Sequence, residues 1–106
     1  MKTIYVPITH NEEIAFHIGQ KASDHFPMLD RAHPSDLWFH LDKYPSCHII
    51  ASIPEYISRE KIKKVIRHGI RLSKEHSKYG SKVDVIYTRV RYVTKGDVEG
   101  QVCISS

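Results

Sequence analysis

Between residues 36 and 42 apolar and polar side chains alternate with period two. Leu37, Phe39 and Leu41 fall on one side, with Asp36, Trp38, His40 and Asp42 on the other, which predicts a strand. A turn over residues 43–46, marked by Pro45, leads into the apolar stretch 47–53, read as a buried returning strand that Pro54 ends. So short a connection favours an antiparallel pair and predicts His48 close to His40. Upstream, residues 3–6 and 14–18 are rich in β-branched and aromatic side chains and predict two strands, with a turn over the polar residues 9–13 between them. Residues 21–32 carry Ala22, Phe26 and Leu29 at helical spacing around a central Pro27, which predicts a short or broken helix.

The longest periodic segment is 58–79. Ser58 is a suitable N-cap, Glu60 sits in the first turn and Gly80 follows the expected end. Ile62, Val65, Ile66, Gly69, Ile70 and Ser73 recur at i, i+3, i+4 and i+7, the pattern of a helix face laid on a core. Residues 83–94 predict a long strand, 95–97 a turn and 101–104 a last short strand. Together these elements predict an α+β domain, a mostly antiparallel sheet carrying one long amphipathic basic helix (58–79) and a short N-terminal helix.

Composition narrows the class. At 106 residues and 12.3 kDa the chain is expected to form a single domain, and 41% hydrophobic residues argue against wholesale disorder. The longest nearly apolar run, 49–53, is far too short to span a bilayer. The first residues lack an apolar run and a cleavage site of small residues, so no secretory signal is expected. Cys47 and Cys103 are too few for a disulfide framework and fit reduced thiols in a cytoplasmic protein.

Charge is divided unevenly along the chain. Residues 1–57 carry a net −3, whereas residues 58–95 carry twelve Lys/Arg against three acids, a net +9. Lys64, Arg67, Arg71, Lys74 and Lys78, spaced by three and four, fall opposite the apolar face of the long helix. Such neighbours repel by a few tenths of a kcal/mol per pair, roughly, and no acid is expected between them. A solvated lysine-rich surface accounts for that pattern, and so does a track for phosphates that binds without reading sequence. Arg89 and Arg91 fall on the same face of the following strand as Tyr87 and Val85, where an aromatic ring beside cations suits base stacking, or where Tyr87 is simply core.

A second constellation groups Asp36, Trp38, His40 and Asp42 with Ser46 and His48 across the turn. It fits a divalent-metal site, a recognition pocket in which Trp38 stacks a base, or a buried hydrogen-bonded network. The absence of CxxC, HExxH or CxxH spacing weakens the metal reading. Cys47 and His48 point to opposite faces as strand neighbours, so they form no catalytic pair, and Cys47 is expected to be a small buried hydrophobe. His10, His17, His25, His33, His68 and His76 are scattered, and none reads as a ligand.

Residues 32–42, with their Asp36-Leu37-Trp38-Phe39-His40 run, and 45–50, with His48 after Pro45, resemble the NFACT-R domain. This is the RNA-binding module of the ribosome-associated quality-control proteins. The resemblance continues through residues 83–95, around Tyr87-Thr88-Arg89, and 100–102. Residues 18–24 sit where the family has a glycine and a short polar motif before its first helix. Ser46-Cys47 stands where the family usually has glycine-serine, and the other domains of the large family members are absent from this sequence. The resemblance implies a stand-alone RNA-binding module, with tRNA or ribosomal RNA as its partner, near the translation machinery or ribosome-associated quality control.

The expected function is therefore non-catalytic RNA binding without a cofactor. Lys64, Arg67, Arg71, Lys74, Lys78, Arg89 and Arg91 would meet phosphates, while Asp36, Trp38, His40 and His48 line a recognition face. The alternative from another class is a small metal-dependent hydrolase using Asp36, His40, Asp42 and His48.

Overall fold

The computed structural model describes residues 1–80 and 82–105. Strands β1 (Lys2–Thr9) and β2 (Glu12–Gly19) form an antiparallel hairpin, followed by helix α1 (Ala22–Arg31). Next come β3 (Leu37–Leu41), β4 (His48–Ala51), helix α2 (Arg59–Glu75) and β5 (Val85–Arg89). A 3-10 turn over Val90–Tyr92 leads to β6 (Val93–Lys95), which pairs with β7 (Val102–Ile104) in a small second sheet. The main sheet is antiparallel throughout, in the order β1-β2-β4-β3-β5. This is the expected α+β class, with two helices and an antiparallel sheet.

Strand alternation sends two sets of side chains to opposite faces. Phe16, Ile18, Leu37, Phe39, Ile49 and Ala51 face α2, whose Val65 and Leu72 close the main core. Trp38 and Ile50 face the other way and pack with Met28 of α1, Val90 and Val93. The sheet is thus covered on both faces, by α2 on one side and by α1 with the β6–β7 pair on the other. Pro27 does not break α1, which runs through it from Ala22 to Arg31.

Helix α2 begins as expected: the Ser58 hydroxyl accepts from the Lys61 backbone N–H. It ends at Glu75, one turn short of the expected Tyr79, with His76 as its C-cap. The His76 and Ser77 side chains hydrogen-bond the carbonyls of Leu72 and Lys74, closing the last turn. The buried line runs through Val65, Gly69, Leu72 and Ser73, while Ile62, Ile66 and Ile70 lie half-buried along its flank. The helix is therefore rolled toward Leu72 relative to the face inferred from its isoleucines.

Gly69 sets the distance between helix and sheet. A methyl group there would stand 2.2 Å from Cζ of Phe39, a fully buried ring. Gly69→Ala is expected to destabilise the protein by about 1–3 kcal/mol through overpacking, although alanine is the better helix former by roughly 1 kcal/mol. Urea denaturation checks this, and a midpoint at or above wild type would show slack between α2 and β3.

Residues 83–94 do not form one strand. β5 pairs with β3 only as far as Arg89 opposite Leu37, because the chain before Leu37 is loop. Beyond that point the backbone turns: the Val90 N–H donates to the Asp36 carbonyl and the Arg91 N–H to the Pro34 carbonyl. Val90 and Val93 then enter the second core. Ser81, which leads toward the expected strand, lies outside the described residues.

Candidate nucleic-acid interface

The basic row on α2 survives in part. Arg67 is exposed and Lys74 half-exposed, and neither has an acidic partner among the described residues. Lys78 lies just beyond the helix, its ammonium 5.6 Å from the Tyr79 ring centroid. Lys64 donates to the Ile8 carbonyl of β1 at 3.3 Å. Arg71 is paired with Glu75 at 2.9 and 3.0 Å, one turn on. An acid therefore does stand within the row, and Glu75 offsets part of the repulsion expected there. Exposed Arg59 and Lys63 belong to the same helix.

The strand cations separate. Arg89 is half-buried and its guanidinium donates to the Ser35 carbonyl, a tie across the loop before β3. Arg91 is exposed on the 3-10 turn and does not share a strand face with Arg89 and Tyr87. Tyr87 is 47% exposed on the edge strand, with its ring centroid 5.9 Å from that of Phe39. Of the expected shared-face platform, only Tyr87 is left as an exposed, untied side chain on β5.

The recognition face around Trp38 is the floor of the second core. Trp38 is 1% exposed, so its indole has no free face on which a base could stack. Asp36 is also buried, and its carboxylate accepts the backbone N–H groups of His33 and Ile53, both at 2.9 Å. These bonds pin the loop that precedes β3. Asp36, His40, Asp42 and His48 do not converge on one point, and no set of three ligating side chains does so among the described residues. Cys47 is buried in the main core, on the side away from His48, and burial raises its thiol pKa.

What the fold brings together is a cluster of imidazoles. His40 and His48 meet edge to face with ring centroids 4.9 Å apart, as the short β3–β4 connection predicts. His25 of α1 joins them, stacked on His48 at 3.4 Å. Sequence reading missed His25. Its signal was its place three residues before Met28, on the face of α1 that turns inward. The His25 ring nitrogens reach the carbonyls of Gly19 and Gly100, at 3.2 and 3.4 Å. The helix is thereby held against the end of β2, where a methyl at Gly19 would stand 2.3 Å from Met28 Sδ.

The indole Nε1–H of Trp38 donates to His48 Nδ1 at 3.3 Å. His40 Nδ1 lies 2.6 Å from the Leu41 carbonyl oxygen. Burial, followed by the neighbouring imidazoles of His25 and His40, pushes the His48 pKa down to about 3. His40 is also lowered, chiefly by burial. Both rings are therefore neutral at pH 7.

These rings line a cleft of about 680 Å³ at the end of the sheet. Its rim includes Gln20, Ser46, Lys78, Glu99 and Gln101. α2 crosses the sheet from the β1–β2 turn, where Lys61 pairs with Glu12, to this end. The basic row therefore runs toward the cleft, with Lys78 at its mouth.

No helix among the described residues is long and apolar enough to cross a membrane. No family model and no curated protein sequence matches the chain. Among solved structures, the chain is similar to the C-terminal region of the fibronectin/fibrinogen-binding protein from Streptococcus suis, with a TM-score of 0.75 and 20% identity. The match covers 96% of this chain and 41% of that one. At that identity the likeness is one of fold, so the α+β arrangement of a two-sided antiparallel sheet is an architecture this chain shares with the streptococcal domain.

Proposed function

We propose that this chain is a non-catalytic RNA-binding module of the NFACT-R type, acting on tRNA or ribosomal RNA in translation or ribosome-associated quality control. The observation that carries the reading is that Arg67, Lys74 and Lys78 have no acidic partner among the described residues, within a segment of net charge +9. Arg67 and Lys74, two helical turns apart on α2, and Lys78 just beyond its end present charges suited to following a phosphate backbone rather than to reading bases. The resemblance supplies RNA; the charges alone supply a polyanion.

The test is filter binding of RNA at several salt concentrations with Arg67→Glu/Lys74→Glu. Both side chains lie on the side of α2 away from the sheet, so the double variant is expected to keep the wild-type melting temperature. Affinity should collapse, and the slope of log affinity against log salt should lessen by roughly 0.7 per lost contact on a single strand. An unchanged slope and affinity would remove RNA binding from this helix.

A further inference from the structure

The hydrogen bonds inside the imidazole cluster decide what its cleft offers a ligand. An indole N–H can only donate, so His48 Nδ1 must accept, and in a neutral ring the hydrogen then sits on Nε2. A carbonyl can only accept, so His40 Nδ1 carries the hydrogen and its Nε2 keeps a lone pair. Neither Nε2 has a partner among the described residues, and neither is sealed from solvent. His48 is only 3% exposed, so this atom is a buried side chain's one open polar group, and both His48 and His40 are among the residues that line the cleft. The cleft wall therefore carries one fixed donor beside one fixed acceptor.

We propose that the cleft takes a single unpaired nucleobase of the bound RNA, His48 Nε2–H donating to its edge and His40 Nε2 accepting from the adjacent N–H. The inference rests on the RNA reading above and adds to it the element of RNA that is recognised. A donor next to an acceptor complements the Watson–Crick edge of an unstacked base, which a base inside a duplex has already engaged. The volume is that of a small-molecule site, large enough for one nucleotide and too small for a helix. Lys78 at the mouth is placed for the phosphate of that nucleotide, while Glu99 on the same rim disfavours a second. Neutrality of both rings matters: a protonated His40 would present a second donor and lose the pairing pattern.

Two fluorescent RNA hairpins test this with the full chain, one ending in a single unpaired 3′ adenosine and the other in an abasic nucleotide at that position. The base is expected to strengthen wild-type binding by roughly tenfold, the low end for a two-bond edge contact. His40→Phe keeps an aromatic ring and removes the acceptor, so the ratio between the two hairpins should fall to near one. A wild-type ratio near one, with both hairpins bound, overturns the nucleobase site and leaves the phosphate-tracking reading standing. Failure of both hairpins to bind overturns both readings. Saturable binding of adenosine monophosphate without any RNA binding would assign the cleft to free nucleotides and likewise overturn the proposal. The wild-type comparison requires no variant to fold.

Discussion

Acidification from pH 7 to pH 4 is expected to destabilise the protein by about 3–4 kcal/mol through His48 alone, since each pKa unit of difference is worth about 1.4 kcal/mol. In the unfolded chain this histidine titrates near the ordinary value of 6.5, and in the fold near 3. Between those values the unfolded state binds a proton that the native state refuses. Stability is therefore complete above about pH 6.5 and is lost as pH falls toward 3. His40, also lowered, acts with the same sign. The carboxylates of Glu12, lowered mainly by Lys61, and Asp24, lowered mainly by the Lys21 backbone N–H, contribute stability lost only at lower pH. Their ordinary values are 4.5 and 3.8, so the window from 6.5 to 5 belongs to the histidines. Urea midpoints at pH 7, 6 and 5 measure the slope, and His48→Gln should flatten it. Equal midpoints at pH 7 and pH 5 would mean that the imidazole cluster is open to water.

Trp38→Ala is expected to cost about 3–5 kcal/mol, the range for truncating a fully buried aromatic side chain. For a chain of this size that is a fall in melting temperature on the order of 15–30 °C. Two losses combine: a cavity opens between Met28, Ile50 and Val93, and His48 Nδ1 loses its donor. Trp38→Phe separates them, because it fills most of the space while leaving the nitrogen unpartnered. RNA affinity of Trp38→Ala should decline only where the protein is partly unfolded. A variant with wild-type melting temperature and weakened RNA binding would instead restore the indole to the binding surface.

The positions of the long elements were legible from periodicity because each has one strongly apolar side facing α2 or the sheet. Leu37, Phe39 and Leu41 alternate cleanly, and the Ser58 cap marks where α2 begins. The meeting of His40 and His48 was legible too, since so short a connection between two strands leaves little choice but an antiparallel pair. The roll of α2 toward Leu72 was not, because the seat at Gly69 depends on the Phe39 ring that fills it. Nor was the break after Arg89, which occurs because β3 begins opposite it and leaves no partner beyond, and not because of any local signal in Val90–Tyr92.

The side of the sheet bearing Trp38 is where sequence and tertiary structure divide most sharply. Alternation states that β3 has two faces, and a face holding Trp38, His40 and flanking aspartates reads as polar and open. What covers it are the weakest elements in the chain, a ten-residue helix containing Pro27 and two three-residue strands. None of these has enough periodicity of its own to announce a second layer. Only their packing turns Trp38 from a surface ring into a core residue, and brings His25 onto His48 from more than twenty residues away. The sequence by itself determined which residues could carry the chemistry, because residue type and strand register are local. Burial decided their hydrogen-bonding roles, because the tautomers of His40 and His48 are set by partners that only the folded chain supplies.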